Sequence, residues 1–284
     1  MKKQLLKGVA VVALASLTLA GCKKESSENT GNGGGNDIAV ARVSRSVVNK
    51  VTGSACPPCG GWGWTAFEEL INTNKGKAYF VGTYSQNFVA KDFITNIATT
   101  WDKAWGITGY PTFCASFTPQ LSRTSSGVNV TKEKEMVNTE VSAHAAKAAL
   151  ANTAISTEWV EEAGWYKLKV KTHTKFFEST TGDYTLGVFL IKDKDKAPQS
   201  GHSSYPNATE HHYVLKQSMD EIAEKNWGDV IASGTIDANK VVTKEFSTYL
   251  PIDTEKANWS VLCVIFKKGT DGKYTFVNAA SDQK

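Results

Sequence analysis

Gly53-Ser54-Ala55-Cys56-Pro57-Pro58-Cys59-Gly60 is the stretch that decides how this 284-residue chain is read. Two cysteines with two residues between them close a small disulfide or hold a metal, depending on the partners at hand. The pair follows a β-like run, Val47-Val48-Asn49-Lys50-Val51. It precedes Trp64, Phe67, Leu70 and Ile71, apolar residues at helical spacing. Strand, CxxC and helix in that order make a redox site, with the first cysteine at a helix N-terminus. Further along, Gly109-Tyr110-Pro111-Thr112-Phe113 carries a proline into an extended segment.

In such a site Cys56 is the attacking thiolate, because free amides at a helix start favour negative charge. Cys59, one turn on, attacks back to release the mixed disulfide. Pro111, cis, would lie beside the pair, so that Tyr110, Pro111 and Thr112 meet an extended substrate. A zinc site needs four nitrogen or sulfur ligands, and the sequence has neither a second CxxC nor an HxxxH. Beyond Cys22 the other cysteines are Cys114 and Cys263. The expectation is a redox-active Cys56–Cys59 disulfide with no other cofactor and no metal.

The beginning of the chain reads as an address. Lys2, Lys3 and Lys7 precede an apolar run from Gly8 to Ala20, too short to span a bilayer, which takes about 20 residues. It ends Leu19-Ala20-Gly21-Cys22, which looks like a bacterial lipobox. Residues 1–21 are therefore expected to be a lipoprotein signal peptide, with Cys22 lipidated and anchoring the protein to a membrane. Residues 22–40, polar and glycine-rich, read as a flexible tether. The full chain has 32 Lys+Arg against 28 Asp+Glu; residues 1–21 hold three of those lysines and no acid, leaving 29 against 28. That near-balance gives no case for a nucleic-acid partner.

Residues 41–149 alternate strand-like and helix-like segments: strand Val43–Thr52, helix Pro58–Asn72, strand Ala78–Tyr84, helix 91–105, extended Thr112–Phe117, helix Thr131–Ala149. The order predicts a central sheet flanked by helices. In residues 150–284, Tyr166, Leu168, Val170, Thr172, Thr174 and Phe176 alternate with polar or charged residues, a half-buried strand. Tyr184–Ile191, Lys240–Phe246, Trp259–Phe266 and Tyr274–Val277 follow as strands, with one helix near Met219–Lys225. This half is expected to be an antiparallel β-sandwich.

Thr52 to Cys59 and Gly109 to Thr112 resemble the active-site and cis-proline motifs of thioredoxin-like proteins. Ser179-Thr180-Thr181-Gly182-Asp183-Tyr184-Thr185-Leu186-Gly187-Val188 and His211-His212-Tyr213-Val214-Leu215-Lys216 resemble the C-terminal β-domain of the Omp-twenty-eight-related outer membrane lipoproteins. The resemblance implies an α/β thioredoxin-like domain followed by a β-sandwich, in a lipoprotein of the outer membrane of a Gram-negative-type envelope. The chain departs from the thioredoxin-like pattern in three places. Ala55 stands where an aromatic precedes the first cysteine. Asn49 and Lys50 stand near the usual buried carboxylate. Pro57-Pro58 removes two N–H donors from the turn that would solvate the thiolate, so Cys56 is expected to be a weakly acidic thiol.

Two functions follow, of different class. The first is thiol–disulfide exchange on envelope proteins bearing thiols or disulfides. The second is non-catalytic binding or adhesion at the outer membrane, with Cys56–Cys59 a structural staple. Cys114 and Cys263 read as buried hydrophobes, with a bridge between them left open. His202, His211 and His212 lack ligand spacing, and His144 falls on the apolar stripe of its helix. Lys167, Lys169, Lys171 and Lys175 form one face of a strand, either solvated or open to anionic groups. No GxSxG, P-loop, HExxH or EF-hand pattern occurs.

Overall fold

Residues 38–84, 93–125, 127–219 and 226–283 are described by a computed structural model. The leader, Cys22 and nearly all of the tether lie outside them, as does residue 220–225 of the expected Met219–Lys225 helix. None of the described helices is long and apolar enough to cross a membrane.

The first half runs β1 (Ser46–Thr52), α1 (Pro57–Gly60), α2 (Trp62–Asn74), β2 (Ala78–Tyr84), α3 (Asn96–Trp105), β3 (Thr112–Ala115) and β4 (Thr118–Pro119). The short ribbon β5 (Arg123–Thr124) and β6 (Gly127–Val128) leads to α4 (Val130–Ala145). α3 and α4 start where short polar side chains satisfy exposed amides, whereas α1 and α2 have no side-chain cap. Thr95 accepts from the Ala98 N–H and Asn129 from the Lys132 N–H. Gly106, left-handed at φ 63°, ends α3.

The second half is β7 (Ala151–Glu162), β8 (Trp165–Phe176), β9 (Thr180–Thr181), β10 (Asp183–Pro198), β11 (Ala208–Ser218), β12 (Asp229–Ala232), β13 (Thr235–Ile236), β14 (Val241–Pro251), β15 (Trp259–Lys268) and β16 (Tyr274–Ser281). The alternation in β8 holds in part: Leu168, Val170, Thr172, Thr174 and Phe176 are buried, but Tyr166 is only half-buried and His173, expected outward, is buried as well. β7 and β11 were not expected. In β7 the buried residues are the consecutive Ala151, Asn152 and Thr153, small or polar and enclosed on both faces, so the period-2 signal is faint.

One large mixed sheet has the order β16-β15-β10-β11-β2-β1-β3-β4, with β12 beside β10. β1 and β2 are parallel, as a helical crossover requires, and β3 is antiparallel to β1. The expected division at residues 149 and 150 falls between α4 and β7, and the sheet runs across it. β11 meets β2 at one position, Val214 beside Gly82, and further along the same edge the Gln283 side-chain amide bonds the Phe80 N–H and carbonyl. The second half therefore does not build a sandwich from two sheets of its own. One of its layers continues the first half's sheet, and the other is the separate three-stranded sheet β14-β8-β7.

The residue alternation of the large sheet sorts three large cores, beside a small fourth cluster of Tyr84, Phe93 and Val214. Val48, Phe80, Phe113 and Ala115 pack against Phe67 and Leu70 of α2 and Val137 and Val141 of α4. Val47, Val81, Phe189, Leu262, Val264 and Phe266 pack on the other face around Ile97 and Trp101 of α3. Tyr184, Leu186, Val188 and Leu190 of β10 meet Leu168, Val170 and Phe246 of the three-stranded sheet. β16 returns to the first half: the Asn278 side chain accepts from Arg45 N–H and donates to the Val43 carbonyl.

Candidate redox site

β1 runs out of the sheet directly into the CxxC turn. Cys56 and Cys59 form a disulfide, with their Cα atoms 5.3 Å apart. Cys56 is 6% exposed and Cys59 fully buried, while Ala55, Pro57 and Pro58 are exposed around them. The pair thus has one sulfur near the surface and one behind it.

The single helix expected from Pro58 is in fact two. α1 is only four residues long and ends at Gly61, whose backbone (φ −84°, ψ −112°) breaks the path before α2 begins. The turn's amides are already used: Cys59 N–H and Gly60 N–H both donate to the Cys56 carbonyl, at 3.1 and 3.3 Å. Cys59 and Gly60 thus spend their amides on the Cys56 carbonyl, and the two prolines add no donor to the turn.

The Tyr110–Pro111 bond is cis, and Cys56 Sγ lies 3.9 Å from the Tyr110 carbonyl oxygen. Gly63 explains the close fit, since a Cβ there would sit 2.4 Å from Pro111 Cγ. The Thr112 hydroxyl donates to the Gly109 carbonyl at 2.7 Å, and Tyr110 Oη donates to Asp102 at 3.4 Å. Cys56, Cys59, Tyr110, Pro111 and Thr112 are thus brought together.

A second group was missed by sequence reasoning: the segment after β10. Gln199, 1% exposed, donates its amide to the carbonyls of Gly53, Ser54 and Cys56 at 3.1–3.2 Å. Ser200 N–H donates to the Ser54 carbonyl at 2.8 Å. Gly201, at φ +81°, leaves no space for a side chain, because a Cβ would lie 2.1 Å from the Pro57 oxygen. The only sequence signal was glycine at 60, 61 and 63. Their cost in helix propensity was visible; the chain and ring that press on Gly60 and Gly63 were not.

On β1, six residues before Cys56, lies a buried amine. Lys50, 4% exposed, has its Nζ 4.7 Å from the centre of the Trp64 ring and 4.8 Å from that of Phe67. Burial pushes its amine down to about 7, against a weaker opposite pull from the Glu68 carboxylate. Trp64 Nε1–H donates to Glu68 at 2.8 Å, and the Trp64 ring also packs on His202 and His211.

Those histidines have structural partners. His211 Nε2–H donates to the Ala197 carbonyl at 3.1 Å, so its Nδ1 accepts from the Tyr84 hydroxyl at 2.6 Å. Burial first, and the Lys50 charge second, lower His211 to about 4 and keep it neutral. His202 Nδ1 lies 2.9 Å from Ser204 Oγ. His144 is buried against Phe276. Cys114 and Cys263 are free, buried thiols, both raised by burial, and no bridge joins them. Lys167, Lys169 and Lys171 reach Glu162, Glu158 and Glu245 at 3.4, 3.4 and 3.8 Å.

No family model matches this chain, and no curated protein matches it. Among solved structures, HBP35 of Porphyromonas gingivalis is similar over 85% of this chain and 76% of its own, with a TM-score of 0.62 and 15% identity. That likeness shows a shared fold. Spo0M, a sporulation control protein from Bacillus subtilis, overlaps 47% of this chain and 48% of its own at a TM-score of 0.27 and 13% identity, too little to support any argument. The β-α-β, cis-proline and β-hairpin order of residues 46–145, with the disulfide at the first strand-to-helix turn, is thioredoxin-like.

Proposed function

We propose that the protein exchanges thiols and disulfides with other proteins of a bacterial envelope, held to the outer membrane by lipid on Cys22. The observation that carries the exchange reading is the contact of Cys56 Sγ with the Tyr110 carbonyl beside cis-Pro111, with Cys59 buried behind. In the reducing direction, a dithiol first reduces the Cys56–Cys59 disulfide. The Cys56 thiolate then attacks a substrate disulfide, forming a mixed disulfide and expelling one substrate thiolate. Cys59 loses its proton, attacks Cys56 Sγ, restores the internal disulfide and expels the second thiolate. Two electrons pass from the dithiol to the substrate.

Insulin reduction by dithiothreitol tests this. The expected result is acceleration by wild-type protein and none by Cys56→Ser; equal rates would sink it.

A second reading, a binding or adhesion protein with a static staple, draws support from the Gln199 clamp and the spent amides of the turn. It expects a disulfide that resists dithiothreitol under native conditions.

A further inference from the structure

We infer that Arg123, seated on the buried Glu133 carboxylate, is the positioning residue that fixes the Tyr110–Pro111 loop so that an extended polypeptide disulfide can reach Cys56. The inference rests on the exchange reading above and names its substrate class. Arg123 Nη2–H donates to the Pro111 carbonyl and to Thr112 Oγ1, each at 2.7 Å. Its Nε–H faces Glu133 Oε1 at 3.5 Å, and the same oxygen accepts the Ser122 N–H at 3.0 Å. The Glu133 side chain is wholly buried, whereas Arg123 keeps about a quarter of its side chain in solvent.

One guanidinium therefore joins the cis-proline loop to the start of β5 and to the first turn of α4. Gly109 completes the seat: a Cβ there would lie 2.5 Å from Arg123 Nη1. Only a planar fork supplies donors in two directions at once; a lysine reaches the carboxylate or the carbonyl but does not hold both. The peptide on the near side of Pro111 is the one that adjoins Cys56. Fixing the carbonyl on the far side keeps that peptide in register with the sulfur. A small disulfide needs only the sulfur, while an extended chain must also align with the loop.

The test uses the full chain, reduced, with two oxidants: glutathione disulfide and insulin. In Arg123→Met and Arg123→Lys the rate with glutathione disulfide is expected to stay within about twofold of wild type. The rate with insulin is expected to fall about tenfold or more, since a small misplacement of aligned groups has effects of that size. Equal loss with both oxidants means a general change at Cys56 and overturns the inference, as does an unchanged insulin rate. Should the methionine variant not fold, the lysine variant, which keeps a cation on Glu133, decides by the same ratio. Wild-type protein inert towards both oxidants overturns the exchange reading and this inference together. Wild-type activity shared in full by both variants overturns the inference alone.

Discussion

Lys50 and the lysines of β8 carry the same side chain into opposite surroundings. On β8, Lys169 and Lys171 keep nearly half of their side chains in water and Lys167 about a quarter, and all three lean on glutamates of β7 and β14 across the sheet. Lys50 is enclosed, and its ammonium meets the faces of Trp64 and Phe67. A solvated lysine opposite a carboxylate costs little to place and contributes little. An enclosed one has lost its hydration, which ring faces replace only in part. The β8 face thus reads as an ordinary solvated surface. The charge that was expensive to bury lies in the region of the CxxC turn, where perturbed groups gather when a site does chemistry.

That contrast is open to attack by mutation. The largest effect is expected from Lys50→Met. The folded amine binds its proton less tightly than the unfolded one, so between pH 7 and 10.5 the unfolded chain holds more protons and stability rises with pH. Urea unfolding of the wild type should gain on the order of 3 kcal/mol from pH 7 to pH 9.5. The methionine variant should lose most of that gain; parallel pH slopes for the two proteins would mean Lys50 is not desolvated. Next in size is Gln199→Ala, which strips a shared donor from three buried carbonyls of the turn. A loss of about 2 kcal/mol is expected in the same assay, and no loss would remove the clamp from the account.

A smaller effect concerns the reduced protein. With Pro57 and Pro58 adding no donor to its turn, Cys56 should contribute little thiolate absorbance at pH 7 compared with alkaline solution. Full thiolate signal at pH 7 would show that Lys50 or another group supplies what the helix start does not. The smallest change is expected on β8, where Lys169→Gln should alter stability by less than about 0.5 kcal/mol. A large loss there would erase the distinction between the two environments.

The parts of the site that lie close in sequence were readable. Cys56 and Cys59, the β1 run before them, and Tyr110-Pro111-Thr112 all announce themselves, because local order and residue type fix strand, turn and cis-proline. The helix after the cysteines was placed but not its break at Gly61. That break depends on what presses against the turn, and propensity alone is silent about it. Gln199 and Arg123 gave no signal, since a glutamine after a strand and an arginine in a ribbon are ordinary surface residues until a carbonyl arrives in front of them.

The same holds for the architecture. Period-2 alternation in β8 and apolar runs in β10 and β15 determined that the second half is made of strands, with one face of each turned inward. Where those strands pair is a long-range matter. β11 lies against β2 because an uncovered edge of a parallel pair needs hydrogen-bonding partners, and this chain supplies them from beyond residue 200. Local chemistry wrote the cysteine pair and its proline. The joining of both halves through one sheet, which brings Gln199 onto the turn, arises only when the chain closes on itself, because hydrogen-bond satisfaction and burial are settled between residues far apart in sequence.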